Sequence, residues 1–328
     1  MTKLFNGPKN SITDIDGFLV GNAHDDNIKS GVTVLTRSTS FRASVSILGG
    51  APGTKETDLL SPDKIVENID GIVLAGGSAF GLDASSGVMD CLRIQNRGFD
   101  TGAIKVPIVP SAILFDLKNG GLKDWKINPY RDLGRKAFLN ISDYFEVGSV
   151  GAGCGATTSV VKGGLGTNSI FYGDRIKVAA IIAVNSVGSP FFPGTNILYS
   201  DFYGEKKERL ERPPMTAFIN STKLLTGEAT TLGIVCTNVN FSKNDLNRIA
   251  TSAHTGIARA IEPSHTPFDG DIIFSATSGT EPIISKDKDL MLVCQLSALC
   301  VTQAVGSAIK AARKKKGDQL SCWVDLKT

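Results

Sequence analysis

Two short stretches carry the residue types that hydrolytic chemistry needs. In Glu228-Ala229-Thr230-Thr231-Leu232, a hydroxyl residue stands just before the apolar run Leu232-Gly233-Ile234-Val235-Cys236. In Asp269-Gly270-Asp271, two carboxylates sit one residue apart, ahead of Ile272. A Thr hydroxyl is a weak nucleophile until a base takes its proton. One such base is the residue's own α-amine, freed if the chain cuts itself in front of it, and its pKa near neutrality suits the task. On this reading the chain is a precursor cut between Ala229 and Thr230. A single domain, 1–328, then becomes a large fragment, 1–229, and a small fragment, 230–328. The bland alternative is equally physical, because Thr has high β propensity and often opens strands, and Asp-Gly is a turn dipeptide.

Other stretches offer donors and charge. Gly151-Ala152-Gly153-Cys154-Gly155-Ala156-Thr157 and Lys162-Gly163-Gly164-Leu165-Gly166 combine free backbone N–H groups with one ammonium, a set able to stabilise an oxyanion. A surface turn explains the same residues. Asn185 ends an apolar run and is either an amide donor or a turn residue. Gly76-Gly77-Ser78-Ala79-Phe80-Gly81-Leu82-Asp83 follows a strand and opens a helix, a place where anions bind. It lacks both the dinucleotide GxGxxG spacing and the P-loop ending. His24, His254 and His265 do not form a metal constellation, and no GxSxG elbow is present. His254 falls inside a helical pattern and reads as structural.

The elements that must position these groups are legible in outline. Strands are expected over 17–20, 31–36, 42–48, 72–75, 176–184, 231–237 and 272–274. Helices are expected over about 80–93, from an N-cap at Ser242 through Ile261, and over 290–313. Residues 200–228 are polar and irregular and read as an exposed loop leading to the cut. Strands cluster and helices cluster, without regular βαβ alternation, so an α+β layered fold is expected.

Bulk properties narrow the class. The 328 residues, 41% apolar and 20% charged, build a sizeable core. A net charge of +3 is too small to imply nucleic acid. The basic run 310–317 reads as the solvated end of a helix. The six cysteines show no zinc-like spacing and are expected to be reduced; only Cys154 lies near candidate chemistry. No secretory signal or membrane-length apolar run is visible, so a cytoplasmic protein is expected.

Together the segments resemble the L-aminopeptidase D-amidase/D-esterase family, which includes β-peptidyl aminopeptidases and nylon-oligomer hydrolases. Three long stretches carry the resemblance: Val20-Gly21-Asn22-Ala23-His24-Asp25 with Ser30-Gly31-Val32-Thr33-Val34, then residues 49–58, then residues 74–84. Shorter ones follow in the family's order: residues 106–110, 150–157, 162–166, 183–185, 235–238 and Gly270-Asp271. The resemblance implies an αββα sandwich of the N-terminal-nucleophile type and self-cleavage into two subunits. It makes Thr230 the nucleophile, Lys162 the site's cation, Asn185 the amide donor, and Asp269 and Asp271 the supporting pair. Thr with two Asp leans towards the nylon-oligomer hydrolases. Ala229 stands where Asn or Gly is more usual, and Thr231 leaves a one-residue ambiguity in the nucleophile. The resemblance further implies a homo-oligomer, expected to be a tetramer of processed units, acting without a cofactor or metal on small amides, peptides or ω-amino-acid oligomers. Two other readings stay open: an acyltransferase of the ornithine acetyltransferase type, and an uncleaved homologue acting as a binding protein.

Overall fold

Alternation along one strand organises the molecule. In β10 (Ile176–Asn185), Val178, Ala180, Ile182 and Val184 belong to one apolar cluster, and Ala179, Ile181 and Ala183 to another. Successive strand side chains point to opposite faces, so β10 is covered on both sides. Ile181 and Ile182 are fully buried on opposite faces; each such burial is worth about 1.5–3 kcal/mol.

A computed structural model describes residues 3–203 and 229–327. Most of the expected loop 200–228 therefore lies outside the described residues. The first sheet contains β1 (Leu4–Asn6), β9 (Gly164–Tyr172), β10, β11 (Thr230–Val239) and β12 (Ile272–Glu281), in that order. It then passes into β3 (Ser30–Ile47), which pairs with β12 through residues 43–47. The same strand continues into the second sheet, where residues 32–36 pair with β5 (Asn68–Ala75). β2 (Leu19–Asp25) lies on the other side of β3, and β8 (Ser111–Ile113) and β4 (Thr54–Lys55) extend beyond β5. β6 (Phe99–Asp100) and β7 (Lys105–Val106) form a separate ribbon.

The expected strands 31–36 and 42–48 are thus one continuous strand joining the two sheets. Its pairing with β5 shifts register between Thr36 and Phe41, which lets it turn from one sheet into the other.

Three apolar layers follow. Leu35, Ile72 and Leu74 from the second sheet meet Ile181, Leu232, Ile234 and Phe274 from the first. α3 (Lys243–Ala260) and α4 (Lys286–Ala311) cover the outer face of the first sheet through Ile249, Ala253, Ile257, Val301, Ala304 and Val305. α1 (Ala84–Ile94) and α2 (Tyr130–Leu139) cover the second through Val88, Leu92, Leu133 and Phe138. The result is the expected four-layer αββα sandwich. α2 and β9 have no counterpart in the sequence reading.

α3 starts where Ser242 predicts. Its hydroxyl accepts from the Asp245 N–H at 3.2 Å, and the Asp245 carboxylate accepts from the Ser242 N–H at 3.3 Å, a reciprocal cap worth about 1 kcal/mol. Contrary to expectation, α4 is long and apolar enough to cross a bilayer, yet 67% of its most apolar window is buried against the sheet and α3. It is a core helix. Gly164 and Gly166 serve that packing, because side chains there would collide with the Ala308 and Ala304 carbonyls of α4.

Candidate active site

β11 is held between β10 and β12, and Thr230 is its first residue. Leu232, Ile234 and Cys236 face the layer between the sheets, so by the two-residue period Thr230 points to that layer and Thr231 to the helices. Thr230 is 3% exposed. The Thr231 hydroxyl is buried without a hydrogen-bond partner among the described residues. This alternation separates the two threonines that sequence leaves ambiguous.

The Ala229–Thr230 peptide bond lies in a polarised pocket. The Thr230 hydroxyl donates to the Ala229 carbonyl oxygen at 2.6 Å. The Gly270 N–H donates to the same oxygen at 2.9 Å. The Ala229 N–H in turn donates to the Phe268 carbonyl at 3.3 Å, and Ala229 bridges Asp269 in parallel register. A nucleophilic oxygen thus stands beside a carbonyl that already accepts a backbone N–H, the arrangement that stabilises charge developing on that oxygen.

Asp269 and Asp271 flank Gly270 and are both about 1% exposed. Asp269 accepts from the Thr266 hydroxyl at 2.7 Å, the Thr266 N–H at 2.9 Å and the Val187 N–H at 3.2 Å. Burial, then the charge of Asp271, pushes its carboxyl above the usual range. Asp271 accepts from the Thr231 N–H at 2.7 Å and the His265 N–H at 3.0 Å, and lies 2.8 Å from His265 Nδ1. The two carboxylates are therefore separated by donors, as their mutual repulsion requires, and Lys162 is not among those donors.

Asn185 pairs with Thr230 across the β10–β11 ladder. Its oxygen accepts from the Thr157 N–H at 3.0 Å and its nitrogen donates to the Phe115 carbonyl at 2.9 Å. These contacts fix which end of the amide is the donor, and the second N–H of that nitrogen remains for another acceptor. Asn185 shares the inter-sheet face with Ala183 and Ile181, hence with Thr230.

Phe115 is anchored by its neighbour Asp116, which accepts from Ser30 Oγ and the Gly77 N–H, each at 2.7 Å. The anion at the 76–83 turn is thus the chain's own carboxylate. Burial pushes Asp116 up to about 6.

Lys162 is buried, and its ammonium lies 2.6 Å from Asp318. Asp318 also binds Lys29 at 2.7 Å. Burial opposes the Asp318 charge, but the two ammonium groups hold the carboxyl below its usual range. The structure therefore brings Thr230, Asn185, Asp269 and Asp271 together and ties the Lys162 ammonium to Asp318.

Near this triad, His24, Asp26 and Cys154 present ligand atoms within 4.8 Å of one another. The Lys315 ammonium binds Asp26 and lies 3.9 Å from Cys154 Sγ, so a cation already sits in that cluster. Burial pushes the Cys154 thiol up to about 12, leaving it protonated near neutrality.

Sequence reasoning missed three partners. His265 grips Asp271, Gly270 supplies a backbone donor, and Thr157 orients Asn185. The spacing His265–Asp269–Asp271 was visible, but only the loop's fold reveals which carboxylate the ring meets.

The chain is similar to known proteins. The profile of peptidase family S58 matches residues 10–321. An uncharacterised aminopeptidase of Mycobacterium leprae (strain TN) is 36% identical, over 97% of this chain and 95% of the relative. A 6-aminohexanoate-oligomer endohydrolase of Paenarthrobacter ureafaciens is 29% identical over 81% of this chain and 74% of the relative. The solved L-aminopeptidase D-Ala-esterase/amidase of Ochrobactrum anthropi, a variant of the Ntn hydrolase fold, aligns with a TM-score of 0.71 at 20% identity, over 96% of this chain and 91% of that one.

Proposed function

The chain belongs to peptidase family S58 and is a hydrolase of peptide or amide bonds, and from that premise we propose that it cuts itself between Ala229 and Thr230 and works through the new N-terminal Thr230. The observation that carries this reading is the Ala229 carbonyl, which accepts from both the Thr230 hydroxyl and the Gly270 N–H.

In processing, Thr230 Oγ attacks the Ala229 carbonyl carbon, and its proton passes to the departing Thr230 nitrogen. An ester now joins Ala229 to Oγ. Water hydrolyses it, leaving a carboxylate on Ala229 and a free amine on Thr230. In turnover that amine takes the Oγ proton as Oγ attacks the substrate carbonyl. The tetrahedral oxyanion takes the spare N–H of Asn185 together with a backbone donor. The amide nitrogen leaves with a proton, and water releases the acid from the acyl-enzyme. Asp269 and Asp271 hold the strand and loop in register around the amine. Lys162, bound to Asp318, acts as a fixed positive charge behind the Thr157–Asn185 contact.

For substrates we propose small amides, peptides with a free N-terminus and ω-amino-acid oligomers. The names of the relatives support this, as does the combination of Thr with two Asp. We further propose a homotetramer of processed units, supported by exposed apolar side chains such as Ile94, Ile127 and Tyr144. A cytoplasmic location is supported by six free cysteines.

Intact mass and N-terminal sequencing test the reading. The expected result is a small fragment beginning Thr-Thr-Leu-Gly. Full-length chain alone after prolonged incubation overturns it.

A further inference from the structure

Asp271 is buried and gripped from two segments. One oxygen takes the Thr231 N–H, one residue beyond the nucleophile. The other accepts from the His265 N–H and lies 2.8 Å from the ring nitrogen Nδ1 of the same residue. Among the described residues, His265 is the basic side chain within ion-pair distance of either aspartate. Its ring faces Asp271, Asp269 and His254 of α3. The two imidazoles meet edge to face at 4.9 Å, and His265 Nε2 lies 3.4 Å from the His254 carbonyl oxygen. His254 cannot share the charge, because burial pushes it down to about 4.

His265 also has φ of +56°, a left-handed conformation that costs a non-glycine residue about 1–3 kcal/mol unless its surroundings enforce it. Here the Asp271 carboxylate does so, by binding that residue's own N–H. A strained residue whose N–H binds a buried carboxylate, and whose ring nitrogen lies 2.8 Å from it, is more than a loop filler.

We propose that His265 is a positioning residue for the reaction: acting through Asp271, its imidazolium offsets the carboxylate pair beside the Thr230 amine and so sets the pH at which that amine becomes a base. This inference rests on the reading of Thr230 as an N-terminal nucleophile. Two carboxylates near an amine favour the ammonium form, and an ammonium cannot accept the hydroxyl proton. A positive charge on the far side of Asp271 weakens that field, and the amine then loses its proton at lower pH. Burial works against the His265 charge, but the bond to Asp271 and its negative charge outweigh burial and hold the imidazole above its usual range.

The test is the pH profile of kcat/KM for His265→Asn against wild type, on an aminoacyl p-nitroanilide that the wild type hydrolyses. Asn tolerates the left-handed backbone and keeps the N–H for Asp271 but carries no charge. The acid limb, which reports the free enzyme's base, is expected to move to higher pH by about 0.5–1 unit, a loss of about 3–10-fold on the acid side. The alkaline plateau is expected to stay within about threefold. A lowered plateau with an unmoved limb is what a structural histidine gives, and it overturns the inference.

A second measurement needs no variant of His265. In wild-type protein the His265 ring protons, followed by NMR, are expected to titrate above the ordinary histidine value, and to drop in Asp271→Asn. Titration at or below that value overturns the inference. A wild type that stays whole and inert defeats the nucleophile reading and this inference with it. A processed, active wild type with an unmoved limb in His265→Asn defeats the inference alone.

Discussion

A Cβ placed on Gly270 would stand 2.6 Å from the Thr230 hydroxyl oxygen and 2.7 Å from the Ala51 carbonyl oxygen. Gly270 is therefore glycine because the Thr230 hydroxyl and a neighbouring backbone both close on it, while its N–H reaches the Ala229 carbonyl. Gly270→Ala is expected to displace the hydroxyl and slow self-cleavage at least about tenfold, since misplacement on the ångström scale costs about 10²-fold in positioned reactions. A time course on a denaturing gel measures it. Processing at the wild-type rate would mean that the loop yields and the close approach is incidental.

Thr230→Ala is expected to leave the chain whole and inactive, because one hydroxyl serves both steps. Thr230→Ser keeps an attacking oxygen and should retain part of each activity. Thr231→Val, which replaces a hydroxyl without a partner among the described residues on the helix-facing side, should process and turn over within about threefold of wild type. Mass spectrometry and a rate assay on the three proteins decide which threonine is the nucleophile.

Asn185→Ala is expected to lower kcat by about 10²–10³ if its spare N–H binds the oxyanion. The fold should survive, because the Phe115 carbonyl and Thr157 N–H that Asn185 holds are partly buried. A kcat change below threefold would reduce Asn185 to a structural residue at the end of β10.

Asp116 gives a pH signature of stability. Its carboxyl titrates at about 6 in the folded chain, against an ordinary value of 3.8. Between those values the folded state keeps a proton that the unfolded state has released, so stability falls as pH rises through that window. The loss is at most about 3 kcal/mol. Asp116→Asn, which carries no proton to lose, should show a smaller drop in Tm between pH 4 and 7. Parallel slopes for the two proteins would contradict the assignment.

Asp318 and Lys162 should separate structure from catalysis. Asp318→Asn leaves two buried ammonium groups without their counter-charge, a change that costs about 3–5 kcal/mol, and should lower Tm strongly. Lys162→Met keeps the Lys29–Asp318 pair and should lower Tm less. If Lys162 supplies positive charge to the reaction, the Met variant loses kcat beyond what its Tm change explains.

How much was legible in advance depends on range. The Ser242 cap and the helix behind it were readable because a capping box is a local interaction. The strand at 231–237 was readable from its apolar run. β9 was missed because Gly164, Gly166, Thr167, Asn168 and Ser169 weaken its apolar signal; its glycines answer to α4, more than a hundred residues away. α2 escaped because proline and glycine punctuate its surroundings, and because it packs on residues distant in sequence, with Tyr130 reaching Ser30 at 2.8 Å. Thr230, Asn185, Asp269 and Asp271 could be nominated by type and order. That Lys162 would bind Asp318 could not, because a lysine's reach is fixed by tertiary contacts alone.

The pairing of β11 with β10 on one side, and of β12 with β3 on the other, has a consequence for biosynthesis. Residues 230–328 supply two adjacent strands to the middle of a sheet whose remaining strands come from residues 4–185. Made separately, the two pieces would each present raw ladder edges, the kind that recruit foreign strands. Synthesis as one polypeptide supplies them in equal number and closes the sheet before the proposed cut. A co-expressed pair of split genes should therefore yield mostly insoluble material, although its chemical composition matches that of the proposed processed protein.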